Sequence, residues 1–166
     1  KVMKSMFGEE ATTEVGETEN ITIEGVGTLE CLTDSGNQGY NVMHAHDVEM
    51  DGETVQFTNY FGKEMSLPFH GTKTINVGLG IEEERPVVHL NMSMGGKDYP
   101  NVPFTLSDRS SNDHPVLLGK KFLTQAGFVI NVAKDFVLSE EYVRSKLAQA
   151  ASIGSNINRG TEANNQ

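Results

Sequence analysis

Tryptophan is absent from the 166 residues, cysteine occurs once, and no apolar run approaches the length of a membrane span. A bilayer-crossing helix needs about 20 consecutive apolar residues, so a span of that kind is excluded. The lone Cys31 cannot close an internal disulfide, which fits a reducing compartment and makes the cytoplasm the expected location. Lys1 to Glu10 holds no apolar core of signal-peptide length, so no secretory leader is expected there. Without secretion, the Asn20-Ile21-Thr22 and Asn91-Met92-Ser93 patterns carry no glycosylation meaning. There is no His-Glu-x-x-His, no spaced Cys/His set and no phosphate-binding glycine loop. Neither a metal nor a nucleotide cofactor is therefore expected. Basic residues are the minority, 13 Lys+Arg against 23 Asp+Glu, for a net charge of −10. A uniformly acidic surface repels phosphate backbones, which argues against nucleic-acid partners. It also disfavours strongly acidic peptides unless positive charge is concentrated locally.

What is present is glycine, with 17 residues, and short runs of alternating hydrophobicity. That profile predicts short strands joined by turns, in an all-β fold of one domain. Ile21, Ile23, Leu29 and Cys31 alternate with Thr22, Glu24, Thr28 and Glu30, with a bend at Gly25 and Gly27. Asp51-Gly52 marks a hairpin inside Val48 to Phe57. Val88, Leu90, Met92 and Met94 alternate, Gly95-Gly96 turns the chain, and Val102, Phe104 and Leu106 alternate again. Val116-Leu117-Leu118 suits a strand buried on both faces. Lys120 to Ala126 reads as a short helix closed by Gly127, and Phe128 to Val132 resumes as strand. Residues 1–20 are polar and acidic and read as a solvated arm. Ser139 is the expected N-cap of a C-terminal amphipathic helix over 139–152, with Glu140 and Glu141 in its first turn. Val143, Leu147, Ala150 and Ala151 make its apolar stripe. Residues 153–166 read as a polar tail, leaving 21–138 as the domain proper.

Asp34-Ser35-Gly36 closes the first alternating strand. Alone, Asp-Ser-Gly is an ordinary turn, because Asp and Ser bond locally to backbone and Gly tolerates positive φ. Its context is more specific. Leu117-Leu118-Gly119-Lys120 and the short helix after it resemble the strand and helix beneath the catalytic loop of retroviral-type aspartic proteases. A longer series is similar to the retropepsin-like bacterial and phage family named for ATP-dependent zinc proteases. The series here is Asp34-Ser35-Gly36, His44-Ala45, Glu84-Arg85-Pro86-Val87-Val88, Gly95-Gly96, Leu106-Ser107-Asp108-Arg109 and Leu117-Leu118-Gly119-Lys120, in that order over roughly residues 20 to 138.

The resemblance implies a closed retropepsin-like β-barrel and an aspartic endopeptidase acting as a two-fold homodimer, each chain supplying one Asp34. Two carboxyls about 3 Å apart share one proton and titrate as a unit. The ionised member activates water and the protonated one polarises the scissile carbonyl of a peptide substrate. Ser35 would bond the two loops together and Gly36 would leave room for substrate backbone. Asn37, His44, Leu118, Gly119 and Lys120 are the supporting positions. The chain departs from the pattern in places. Asn37 replaces the family's Ala, Lys120 its Arg, and Gln38 stands where retroviral enzymes carry an acidic partner for that Arg, so a planar bidentate pair is missing. Gly71, Gly78 and Gly80 are flap candidates within Val55 to Gly80, without a clear glycine-tipped hairpin. Asp108 and Arg109 suggest a structural ion pair. His44 and His46 would share a strand face, but an exposed or core-bound pair is the expected reading rather than a metal site. His70, His89 and His114 read as structural. The alternative to catalysis is a silent structural protein with the same fold, in a phage particle or other assembly, with both ends running over neighbouring subunits.

Overall fold

The computed structural model describes residues 12–139, 144 and 147–153. Ten strands and one short helix follow in order: β1 (Thr13–Ile23), β2 (Gly27–Asp34), β3 (Asn41–Asp51), β4 (Thr54–Asn59), β5 (Glu64–Pro68), β6 (Thr72–Gly78), β7 (Ile81–Met94), β8 (Lys97–Ser107), β9 (Val116–Gly119), α1 (Lys120–Gln125) and β10 (Phe128–Asp135). Helical residues appear again at 137–139, 144 and 147–153.

Six of the strands close a barrel. Around it run β1, β2, β9, β3, β8 and β7, and a short β7–β1 pairing at Ile23 and Met92 completes the ring. Closure leaves the ring itself without an open edge, while β10, β6 and β5 remain edge strands outside it. The strands β1/β2, β9/β3 and β8/β7 are antiparallel, whereas β2/β9 and β3/β8 are parallel. The inward alternation expected from Ile21 to Cys31 is present, since Ile21, Ile23, Leu29 and Cys31 are all buried. They meet Val88, Leu90, Phe104, Leu106, Val116 and Leu118 in one core. The hairpins at Asp51-Gly52 and Gly95-Gly96 form where expected, pairing Asp51 with Thr54 and Met94 with Lys97. Gly95 and Gly96 both have positive φ, as the tight turn between right-twisted strands requires. The helix α1 is capped at its C-terminal end by Ala126, and Gly127 follows with φ of 71°.

Burial pushes the Cys31 thiol up to about 12, so this sulfur is a core group without nucleophilic character at neutral pH.

The solvated arm does not extend through residue 20. Residues 1–11 lie outside the described part, but Thr13 to Asn20 belong to β1, between β2 and β10. The acidic run is one strand with two faces: Glu14 and Glu17 point outward, while Val15 and Glu19 are fully buried. Glu19 carries no apolar character, so burial depends on its hydrogen bonds. Its carboxyl accepts from the backbone N–H of Gly16 at 2.6 Å, Val137 at 2.9 Å and Leu138 at 3.2 Å.

The same bonds correct the expected start of the C-terminal helix. Helical conformation begins at Val137, and Ser139 lies inside the first turn rather than capping it. The first free N–H groups are met by Glu19, a residue distant in sequence, while the Ser139 hydroxyl lies 3.4 Å from Asn20 Nδ2. Glu140, Glu141 and Val143 lie outside the described residues. Leu147, Ala150 and Ala151 are exposed, so these three positions do not pack on the barrel of their own chain.

Candidate active site

Asp34 is the last residue of β2 and sits opposite Gly119, the last residue of β9, in a parallel ladder. Apolar residues just below, Leu118 and Val116, are fully buried, which fixes the register of both strands under the loop. Above Asp34 the chain turns sharply. The Asp34 carboxylate accepts the Gly36 N–H at 3.1 Å, and its carbonyl accepts the Asn37 N–H at 3.0 Å. Ser35 and Gly36 are exposed at the tip, and Asp34 itself is half-buried.

Asn37 turns into its own loop instead of crowding the carboxylate. Its Oδ1 accepts from the Gly39 N–H at 3.0 Å, its Nδ2 donates to the Tyr40 carbonyl at 3.1 Å, and its carbonyl accepts the Lys120 N–H at 2.8 Å. An Ala there would leave the last of these bonds and remove the first two. Lys120 thus supports the loop through its backbone, while its side chain is exposed. Asn41 is a member of the site that sequence reasoning missed. Its buried side chain accepts the Gly119 N–H at 2.8 Å, joining β3 to β9 at the level of Asp34. A polar residue opening an apolar strand was the available signal.

Gly119 has no room for a side chain. A Cβ there would lie 2.7 Å from the Gly39 carbonyl oxygen and 3.2 Å from that of Asn37, both backbone atoms. Gly119→Ala is therefore expected to push the 37–39 segment off its bonds and destabilise the fold by about 1–3 kcal/mol. Chemical denaturation together with the backbone NMR shifts of Asn37 to Tyr40 checks this.

The connection 108–115, between β8 and β9, forms a second wall. Asp108 and Arg109 do not pair with each other. Asp108 accepts the Ser110 N–H at 2.9 Å, and hydrogen bonding with Ser110 holds its carboxyl below the ordinary range. Arg109 Nε donates to the His114 carbonyl at 2.8 Å. Burial presses against the Arg109 charge, as does nearby Arg85, while Asp34 favours it. Arg85 itself bonds to Glu83 on β7 at 3.0 Å. His114 Nε2 lies 2.9 Å from the Thr18 hydroxyl, and His70 stacks on His89 at 4.0 Å between centroids.

The glycine-tipped hairpin that the sequence did not reveal joins β6 to β7. Gly78 pairs with Ile81 around Leu79-Gly80, and Gly78, Leu79 and Gly80 all have positive φ. Leu79 is 100% exposed, with Val77 and Ile81 beside it also exposed. Gly71 instead lies at the base of β6, where its carbonyl accepts the Val87 N–H. The hairpin is tied to the loop after Asp34 by Lys73, whose Nζ lies 5.5 Å from the centre of the Tyr40 ring. Next to Tyr40 a surface hollow of about 390 Å³ is lined by Lys97, Tyr99, Lys121 and Phe122 among others. None of its lining residues is acidic. Positive charge is thus concentrated here on a chain of net charge −10.

A family model described as the retropepsin-like aspartic endopeptidase RimB matches residues 21–141. The chain belongs to this RimB-like family. The match spans the Asp34 loop, the β6–β7 hairpin, the 108–115 connection and the β9–α1 unit. Among solved structures, the crystal structure of a protein of unknown function (DUF785) from Legionella pneumophila is 22% identical. The alignment covers 77% of this chain and 99% of that one, with a TM-score of 0.62. At that identity the likeness speaks for the fold alone. A comparison with curated proteins found no match.

No group of three or more His, Cys, Asp or Glu side chains suited to a metal occurs among the described residues. His44 and His46 do adjoin, but both ring nitrogens of His44 are engaged, one by the Arg109 N–H and the other by His46. No helix among the described residues is long and apolar enough to cross a membrane.

Proposed function

We propose that two copies of this chain form one aspartic endopeptidase site, each contributing a single Asp34. The observation that carries this reading is the Asp34-Ser35-Gly36 turn, braced by Gly119 and Asn41, in a chain of the RimB-like family. The sequence holds one such turn, so the second carboxyl must come from a two-fold partner. One Asp34 is ionised and takes a proton from the attacking water. Its counterpart is protonated and donates to the scissile carbonyl. As the tetrahedral diol collapses, the proton taken from water passes to the leaving amine and a diol hydroxyl returns its proton to the other Asp34, so the dyad ends as it began and no covalent intermediate forms. Ser35, exposed at the tip, joins the two loops across the axis. The β6–β7 hairpin closes over the peptide, and its exposed Val77, Leu79 and Ile81 then find an apolar partner surface. The lysines beside Tyr40 accept carboxylates on substrate flanks despite the acidic surface elsewhere. The reducing setting of a chain with one buried thiol is the cytoplasm.

Subunit mixing tests the shared site. Asp34→Asn chains are mixed with unaltered chains under conditions that allow exchange, and cleavage of a peptide library is followed. If both carboxyls are needed, an equal mixture retains about a quarter of the activity, because only dimers with two unaltered chains cut. A linear decline, to about half, would mean that each chain works alone. No cleavage by unaltered chains would leave the barrel as a non-catalytic component of an assembly.

A further inference from the structure

The β3 residue His44 holds both ends of the 108–115 connection. Its backbone N–H donates to the Pro115 carbonyl at 2.7 Å, and its side-chain Nδ1 accepts the Arg109 N–H at 2.9 Å. That second bond assigns the tautomer: Nδ1 offers a lone pair, so the hydrogen of the neutral ring is on Nε2. Nε2 lies 3.3 Å from His46 Nδ1, which accepts it. The ring is buried, with 7% of its side chain exposed. Other groups facing it are Asp108, with Oδ1 at 3.8 Å from Nδ1, the Arg109 guanidinium, whose charge works against a second proton on the ring, and the edge-on Tyr60 ring of the β4–β5 turn. His46 in turn lies 3.8 Å from Asp47.

A second proton on His44 goes to Nδ1. There it would point at the Arg109 N–H, donor against donor, and that bond is lost. Asp108 is the acceptor at hand, but its Oδ1 already takes the Ser110 N–H that shapes the same connection. Protonation therefore exchanges a bond that closes the connection for an ion pair that pulls on it.

We propose that His44 is a positioning residue for the Asp34 site: neutral, it pins the 108–115 connection leading into β9, and protonated, it releases the Arg109 end. Since β9 carries Gly119, the ladder partner of Asp34, release loosens one wall of the cleft. The consequence for cleavage rests on the peptidase reading, whereas the release itself does not. Burial, the largest influence, holds the His44 ring below its ordinary value of 6.5, so the neutral form persists into mildly acidic solution. Because the folded value is depressed, the associated stability is complete above 6.5 and is lost as pH falls through the folded value. An enzyme that works through a shared carboxyl proton is thereby turned away from strongly acidic conditions.

NMR titration of the full chain tests the release directly, by following the His44 ring and the Arg109 amide together between pH 7.5 and 4.5. The two should titrate in step. Exchange of the Arg109 amide should rise about fivefold beyond its intrinsic pH dependence, as expected for one lost hydrogen bond. His44→Asn keeps an acceptor near the Nδ1 position and cannot take up a proton, so its Arg109 amide should show no such transition. Asp108→Asn should shift the His44 titration further down, because the carboxylate favours the charged ring. An Arg109 amide that stays protected while His44 titrates overturns the proposal, as does an unchanged transition in His44→Asn. The acid limb of kcat/KM should flatten in His44→Asn. Should unaltered chains cut nothing, the peptidase reading fails while the amide titration still decides the release.

Discussion

Asp34→Asn chains, assembled without unaltered partners, lose peptide cleavage by at least about a hundredfold in kcat/KM, the lower range for removing a positioned general acid–base group. The change is nearly isosteric. The Asn carbonyl oxygen can still accept the Gly36 N–H that the carboxylate accepts at 3.1 Å, so the turn keeps its shape. Asp34 is half-buried and packs no large apolar surface. Thermal unfolding of the variant should therefore stay within a few degrees of the unaltered protein. This pairing of lost chemistry with an intact fold separates a catalytic role from a structural one. Cleavage persisting in Asp34→Asn would remove the aspartic mechanism whatever the family says.

Glu19→Ala acts on the fold instead, and its expected cost is about 3–5 kcal/mol. Three backbone N–H groups point at this carboxyl, two of them opening the C-terminal helix. Removing the acceptor leaves buried donors without partners and opens a cavity beside Gly16, Val137 and Leu138. The urea midpoint should fall with little change in slope. Glu19→Gln should lose less, because one carbonyl oxygen remains to accept while its amide now faces a donor. A loss under about 1 kcal/mol in Glu19→Ala would mean that water replaces the carboxyl without strain.

These two residues mark what the sequence made legible and what it did not. Asp34 was visible because turn chemistry is local, and because Leu117-Leu118-Gly119 repeats a recognisable pattern downstream. The barrel strands were visible because a buried face imposes a period of two on Ile21, Ile23, Leu29 and Cys31. Glu19 was not, since its partners lie at Val137 and Leu138, and a glutamate in an acidic run resembles solvated chain. The same reason misplaced the helix start at Ser139, a good local cap, when the acceptor comes from β1. The β6–β7 hairpin escaped for the opposite cause. Val77, Leu79 and Ile81 are all exposed, so no inside and outside exist to generate a pattern. Arg109 was legible as a motif residue but not as the neighbour of His44, a contact that depends on the parallel pairing of β3 with β8.

The way β1 is shared has a consequence for synthesis. This first strand is held on one side by its hairpin neighbour and on the other by β7 and β10, and Glu19 waits for residues beyond β10. Such distant pairings fold slowly, because a long stretch of chain must lose its freedom before any contact rewards it. On the ribosome the ring stays open until β7 through β9 have emerged, and Asp34 lacks its Gly119 support until then. In a nascent copy, the order of the strands alone therefore delays assembly of the Asp34 turn until most of the chain has been made.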